Sequence, residues 1–401
     1  AHRMAGRNVI VRKMTAVESL GSCTLIASDK TGTLTMNEQT AHIVLLPGRD
    51  SFQVSGTGYT GEGTIHTGKG DHLSETDHHQ VQRLCHIATL CSEAQLEKTE
   101  EGWHHSGDPI DVAFLALAHK SGLDTSLIQK SVERSLFIPF EADRRYSAAG
   151  FTDSTGDRFG IKGAAEAVLP FCIRMRTAAG DEEVDQSLLL AKAEELAVNG
   201  YRVLAVAEAV SPGIPEDPIK TGLPPLVLLG YIGFIDPVRP DARESVESCQ
   251  KAGVTVVMVT GDHPATALAI AKTLGIADNQ EQVLTGMEID ALGSVDIPEF
   301  FDLVQKARVF ARVTPVQKLS IVDALIRMGH FVAVTGDGVN DAPALRRAHI
   351  GVAMGSGTDI AKDNAAMIIT DDRFSSIVAG IEEWRFAYDN IRKVTYLLVS
   401  T

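Results

Sequence analysis

The residues of this 401-residue chain best placed to do chemistry form the run Asp29-Lys30-Thr31-Gly32-Thr33-Leu34-Thr35. It follows the apolar stretch Thr24-Leu25-Ile26-Ala27-Ser28, which reads as a strand. Asp29 therefore falls at a strand's carboxyl end, where open α/β sheets gather their reactive groups. A carboxylate there can attack a phosphoryl group and become an aspartyl-phosphate. Lys30 places positive charge beside it. Gly32 permits a sharp turn whose amides can face phosphate oxygens. The plainer alternative is that Asp29 only caps a turn.

Three further pieces carry matching chemistry. An apolar run at 254–259 ends at Thr260-Gly261-Asp262, where Thr260 and the Gly261 amide can hold phosphate oxygens at a helix N-terminus. Thr314-Pro315-Val316-Gln317 reads as a helix start, with a Thr cap, Pro at the first position and Gln closing a capping box. Lys318 then falls in or next to the first turn, where a cation opposes the helix dipole at a cost of about 0.3–1 kcal/mol. A solvated lysine could tolerate that penalty; a lysine facing phosphate and Asp29 would explain it. A third apolar run, at 331–334, ends at Thr335-Gly336-Asp337-Gly338-Val339-Asn340-Asp341. Asp29 and Asp337, with Asp341 near, offer the hard oxygen ligands that suit Mg²⁺. Phosphoryl transfer asks a protein mainly for such positioning and charge neutralisation.

These pieces need a sheet that brings strand ends together. Strand-like runs at 254–259, 331–334, 350–354 and 366–369 alternate with helical patterns at 265–274 and 316–328. That is the grammar of a doubly wound parallel sheet. The middle of the chain differs: β-like segments among turns, with helical stretches at 81–90, 110–119 and 187–198, read as an inserted α+β domain. The expected division is residues 1–39 and 226–391 for the parallel-sheet domain and 40–225 for the insert. The basic opening, residues 1–13, looks helical.

Composition narrows the function. With 52 Asp and Glu against 37 Lys and Arg, the formal net charge is −15, which argues against a nucleic-acid partner. Cys23, Cys85, Cys91, Cys172 and Cys249 are odd in number and irregularly spaced, as expected of reduced thiols. No apolar stretch reaches about 18 residues. Gly56-Thr57-Gly58-Tyr59-Thr60-Gly61 matches G-x-G-x-x-G, but the glycines that follow forbid the required helix, so a turn between strands is expected.

DKTGTLT resembles the phosphorylation signature of the P-type cation-transporting ATPases, a branch of the haloacid-dehalogenase-like superfamily, and the likeness runs from end to end. It implies an α/β fold: a haloacid-dehalogenase-like phosphorylation domain with an inserted nucleotide-binding domain. It also implies ATP as substrate, Mg²⁺ held by Asp29, Thr31 and Asp337, and Lys30, Thr31, Thr260, Gly261, Asp262, Lys318, Asn340 and Asp341 around the transferred group. In the insert, Ile161-Lys162-Gly163-Ala164 resembles the family's K-G-A nucleotide motif. Phe140 would stack on adenine with Arg145 beside it. Asp108, in Gly107-Asp108-Pro109-Ile110-Asp111, would form another wall, and Arg202 would reach the phosphates. The family's usual Thr and Glu are replaced here by Ile110 and Asp111.

Lys162, Thr260-Gly261-Asp262-His263-Pro264 and Asp236-Pro237-Val238-Arg239 look like the type II pumps of the calcium and sodium/potassium kind. The resemblance places the chain at the cytoplasmic face of a membrane. Membrane and actuator domains would be partners in the same pump, the transported cation would bind outside this chain, and residues 392–401 would start a membrane span. A free-standing phosphatase of the superfamily is the alternative. Such phosphatases usually carry an acid/base Asp two residues after the nucleophile. Here that position is Thr31, and the family's T-G-E-S dephosphorylation run occurs nowhere in the sequence.

Overall fold

A computed structural model describes residues 6–13, 21–153, 156–211 and 213–383. The expected membrane-span start at 392–401 lies outside them. The chain divides into two units, residues 1–37 with 238–401, and residues 38–237.

The first unit is built on an eight-stranded sheet. In spatial order its strands are Val9–Val11, Met367–Ile369, Ile350–Met354, Val332–Gly336, Leu25–Asp29, Thr255–Val259, Val309–Ala311 and Val283–Thr285. Every pairing is parallel except that of Val9–Val11 with Met367–Ile369. Alternate residues of the central strands bury into opposite cores: Leu25 and Ala27 on one side, Ile26 on the other. Helices Ala242–Lys251 and Pro264–Leu274 cover one face; Pro298–Lys306, Pro315–Arg327 and Ala342–Arg347 cover the other. Burial on both faces is why these strands read as unbroken apolar runs. The chain's opening departs from expectation. Val9–Val11, expected in a helix, is an antiparallel edge strand, and its β-branched residues suit that setting.

The second unit is built on a ten-stranded sheet, antiparallel along the order Ile65–His66, Phe52–Val54, Thr40–Leu45, Leu226–Ile235, Arg202–Ala209, Gly156–Ala164, Tyr146–Asp153 and Glu133–Ile138; Cys172–Thr177 joins it parallel to the start of Leu226–Ile235 and carries Gly180–Glu183 antiparallel beside it. Helices Glu75–Leu90 and Pro109–Lys120 pack into the core on one face, and Gln186–Val198 on the other. This corrects the expected boundary. Residues 226–235 belong to the insert, because Leu226–Ile235 pairs with Thr40–Leu45 on one side and Arg202–Ala209 on the other. Buried on both faces at the middle of its sheet, it carries the same continuous apolar signature as a parallel strand. The Gly56–Gly61 run is a loop between strands Phe52–Val54 and Ile65–His66, with no helix after it.

Candidate active site

Leu25–Asp29 is a central strand of the first sheet, with Thr255–Val259 on one side and Val332–Gly336 on the other. Val259 pairs with Asp29. Asp29, Thr260 and Asp337 therefore emerge at the same carboxyl edge, and the sheet order delivers what their spacing in sequence could only suggest.

The chain turns immediately after Asp29. The Thr31 amide donates to Asp29 Oδ1 at 3.2 Å, and Gly32 takes φ +72°. A Cβ on Gly32 would stand 2.9 Å from Asp337 Oδ2, so glycine is required twice over: for the left-handed backbone and for the approach of Asp337. Arg239 Nη2 donates to the Gly32 carbonyl at 3.1 Å and steadies the turn from the returning chain.

Lys318 lies at the start of Pro315–Arg327, and the predicted capping box is present: Gln317 N donates to Thr314 Oγ1 and Thr314 N to Gln317 Oε1, at 3.3 and 2.9 Å. Gln317 also donates to the Gly286 carbonyl at 2.9 Å and to Asp290 Oδ1 at 2.7 Å, which fixes the helix start. The Lys318 ammonium, 7% exposed, lies 2.7 Å from both Asp29 Oδ2 and Asp341 Oδ1. Asp341 in turn accepts the amides of Asp337 and Gly338 through Oδ2, at 3.1 and 3.0 Å. It is a bracket that shapes the Asp337 loop and holds Lys318, a role its place in the sequence run did not disclose.

The electrostatics follow from this crowding. Burial pushes the Asp29 carboxyl up; Lys318 opposes this and Asp341 adds to it. Asp337 is pushed up to about 6, first by burial and then by Asp29 and Asp341. Burial alone would lower the Lys318 ammonium, but Asp29 and Asp341 reverse this and hold it above its ordinary value. Three carboxylates thus face one ammonium, an excess of negative charge that suits a divalent cation.

Two expected groups sit differently from their reading. The Lys30 ammonium lies 2.6 Å from Asp262 Oδ2, so it ties the 260–262 loop to the Asp29 turn. Thr260 and Gly261 precede the first turn of Pro264–Leu274, whose cap is His263. Thr260 Oγ1 accepts the Asp262 amide at 3.1 Å. A Cβ on Gly261 would meet nothing within 4 Å, so that side of the residue is open. Asp29, Thr31, Thr260, Gly261, Lys318, Asp337, Asn340 and Asp341 line one cavity of about 270 Å³.

The insert's predicted residues are grouped less tightly. Lys162 is buried, paired with Asp111, with its ammonium 4.7 Å from the Phe114 ring centre. Asp111, named only as a departure from the family pattern, is thus its partner. Gly163 backs onto the Arg145 carbonyl, which a Cβ would approach to 2.5 Å. Arg145 pairs with Glu166 at 2.7 Å. Phe140 is 62% exposed, on the loop after Glu133–Ile138. Asp108 caps Pro109–Lys120 by accepting the Ile110 amide at 2.9 Å. Arg202 opens its strand, exposed, opposite Phe234.

The fold is a mostly parallel α/β sheet with an aspartate at the end of a central strand, interrupted in sequence by a second unit. Residues 324–381 match the haloacid dehalogenase-like hydrolases, and residues 80–241 match the family described as P-type ATPase, cytoplasmic domain N. Across 99% of its length the chain is 41% identical to Cation-transporting ATPase pma1 of Synechocystis sp., covering 44% of that protein. It is 37% identical to Calcium-transporting ATPase type 2C member 2 of Homo sapiens, covering 41% of it. A crystal structure of a zinc-transporting PIB-type ATPase shares the fold, with a TM-score of 0.60 at 23% identity over 99% of this chain and 49% of that one. Along its whole length the chain is thus similar to cation-transporting ATPases, and residues 80–241 carry the P-type ATPase cytoplasmic domain N. It spans less than half the length of the curated relatives it matches.

Proposed function

We propose that this chain is the ATP-binding, autophosphorylating part of a cation-pumping P-type ATPase, and that Asp29 accepts the γ-phosphoryl group. The observation that carries the reading is the buried set Asp29–Lys318–Asp341, with Asp337 beside it, lining one cavity. An Asp29 oxygen bonds to the γ-phosphorus as the bond to the β,γ-bridging oxygen breaks, and ADP leaves with that electron pair. Lys318 holds Asp29 in place and offsets its charge as the anionic group approaches. The Thr260 hydroxyl and the Gly261 amide would donate to phosphoryl oxygens.

The residues fit Mg²⁺. Among the described residues no three His, Cys, Asp or Glu side chains form a closed metal cage. Mg²⁺ needs only one or two carboxylates, with waters and phosphate supplying the rest. Asp29, Thr31 and Asp337 would hold it. When bound, it neutralises charge on the transferring group.

The insert is the proposed ATP platform, with Phe140 under the base, Arg145, Lys162, Gly163 and Asp108 around it, and Arg202 toward the phosphates. Phe140→Ala should weaken ATP binding by about 1–3 kcal/mol, the usual worth of stacking on an aromatic, as read by calorimetry. An unchanged isotherm would move the pocket elsewhere.

Thr31 stands where related phosphatases carry their acid/base Asp, and Thr cannot take a proton from water near neutral pH. General acid–base help is worth about 10²–10⁴-fold, so phospho-Asp29 should hydrolyse slowly in this chain. Steady-state phosphate release, measured beside label retained on protein, tests this. Retained label with slow release is expected. Rapid turnover of simple phosphomonoesters without ATP would put the phosphatase reading first.

A further inference from the structure

On one side of Asp29 the sheet runs to its end, with Val259 opposite it. On the other side the pairing with Val332–Gly336 stops two residues earlier, at Ala27 opposite Val334. Beyond that point the Asp29 amide donates to a side chain, Thr335 Oγ1, at 2.9 Å. The Ser28 hydroxyl donates to the Asp29 carbonyl at 3.0 Å and lies 3.2 Å from Thr335 Oγ1. With the Ser28 proton committed to that carbonyl, the Thr335 hydroxyl is the donor to Ser28 Oγ. The circuit closes: Asp29 N–H to Thr335, Thr335 O–H to Ser28, Ser28 O–H to the Asp29 carbonyl. Both hydroxyl-bearing residues are 0% exposed.

We infer that Thr335 is a positioning residue for phosphoryl transfer, holding Asp29 through a two-hydroxyl clasp that replaces the last rung of the sheet. The inference rests on Asp29 being the phosphoryl acceptor. Its physical basis is a conflict at this edge. Continued pairing would zip the two strands together through Asp29 and Asp337, whereas the cavity requires them to part. Parting would leave a buried amide without a partner, at a cost of about 1–3 kcal/mol. The threonine hydroxyl spans the gap and satisfies the amide. The reactive carboxylate is thereby fixed while the space beside it stays open. Thr335 touches the Asp29 backbone and not the reacting atoms, so it acts through Asp29.

The test uses the full-length protein and measures single-turnover phosphorylation by γ-labelled ATP, with nucleotide affinity and thermal melting in parallel. Thr335→Val keeps the shape and removes the hydroxyl. It should slow phosphorylation at saturating ATP about 10- to 100-fold, the scale of an ångström-level misplacement, with ATP affinity unchanged. Thr335→Ser restores the hydroxyl and should recover the rate to within about threefold of wild type on the same scale. Where Thr335→Val does not fold, Ser28→Ala replaces it. That variant leaves the Asp29 amide bond intact but opens the clasp, and a smaller slowing is expected. A full rate in Thr335→Val, or in Ser28→Ala when that is used, overturns the inference, as does failure of Thr335→Ser to recover. Loss of wild-type labelling at Asp29 would instead overturn the proposed function, so the two failures are distinguishable.

Discussion

Lys318 is the residue on which the site's charge balance turns. Its ammonium is the shared partner of Asp29 and Asp341, and all three side chains are largely buried. Removing one member of a buried ion pair costs about 3–5 kcal/mol, because the other charge is stranded. Lys318→Met should therefore destabilise the first unit by that order in urea unfolding near neutral pH, and abolish phosphorylation. Protonation of the stranded carboxylates relieves the defect, so the gap to wild type should narrow as pH falls; a gap constant with pH would contradict this. Asp337 makes a second prediction. Its folded pKa, about 6, lies above the ordinary carboxylate value of 3.8. The folded chain thus binds this proton more tightly than the unfolded chain. Without metal, its contribution to stability is complete below about 4 and is lost as pH rises through about 6. Mg²⁺ should offset that loss above pH 6 and compete with the proton below it. Melting curves with and without Mg²⁺ from pH 4 to 7.5 would show this, and Asp337→Asn should remove most of the Mg²⁺ effect. An Mg²⁺ shift independent of pH would take Asp337 out of the metal site.

At the scale of elements, the helix that presents Lys318 depends on its cap. Thr314→Ala removes the hydroxyl that accepts the Gln317 amide, and should cost about 0.5–2 kcal/mol while slowing phosphorylation. An unfolding midpoint equal to wild type would show the cap to be redundant. This helix was legible in sequence because its signals are local: Thr, Pro and Gln at fixed offsets. The parallel strands were legible because burial on both faces leaves unbroken apolar runs. That same signature misplaced Leu226–Ile235, since a middle strand of a mainly antiparallel sheet covered on both faces has the identical pattern. Only its partners, Thr40–Leu45 and Arg202–Ala209, decide its home, and pairing is a long-range fact. Val9–Val11 failed for a related reason: three residues are too few for a periodicity, and the edge it joins lies some 360 residues away, at Ile369. In the site, Asp29, Lys318 and Asp337 were visible as strand-end or helix-start residues. The bracket role of Asp341, the Lys30–Asp262 tie and the Thr335 clasp were not, because each depends on distances across the sheet.

At the scale of the molecule, the chain is two units, the second entered and left through adjacent strands, with Thr40 opposite Ile235. That closeness lets an insert fold without distorting its host. The polypeptide 38–237 should fold alone and bind ATP. The polypeptide 40–225 lacks the strand that joins its two halves and should not give a cooperative transition; equal cooperativity of the two would contradict the assignment of Leu226–Ile235. Asp29 carries the proposed function. Its most direct measurement is covalent labelling of the full-length protein by γ-labelled ATP with Mg²⁺, followed by peptide mapping. An acid-stable, hydroxylamine-sensitive label is expected on the peptide containing Asp29, at no more than one per chain, and none in Asp29→Asn. Full labelling of Asp29→Asn, or a label mapping to another residue, would contradict it.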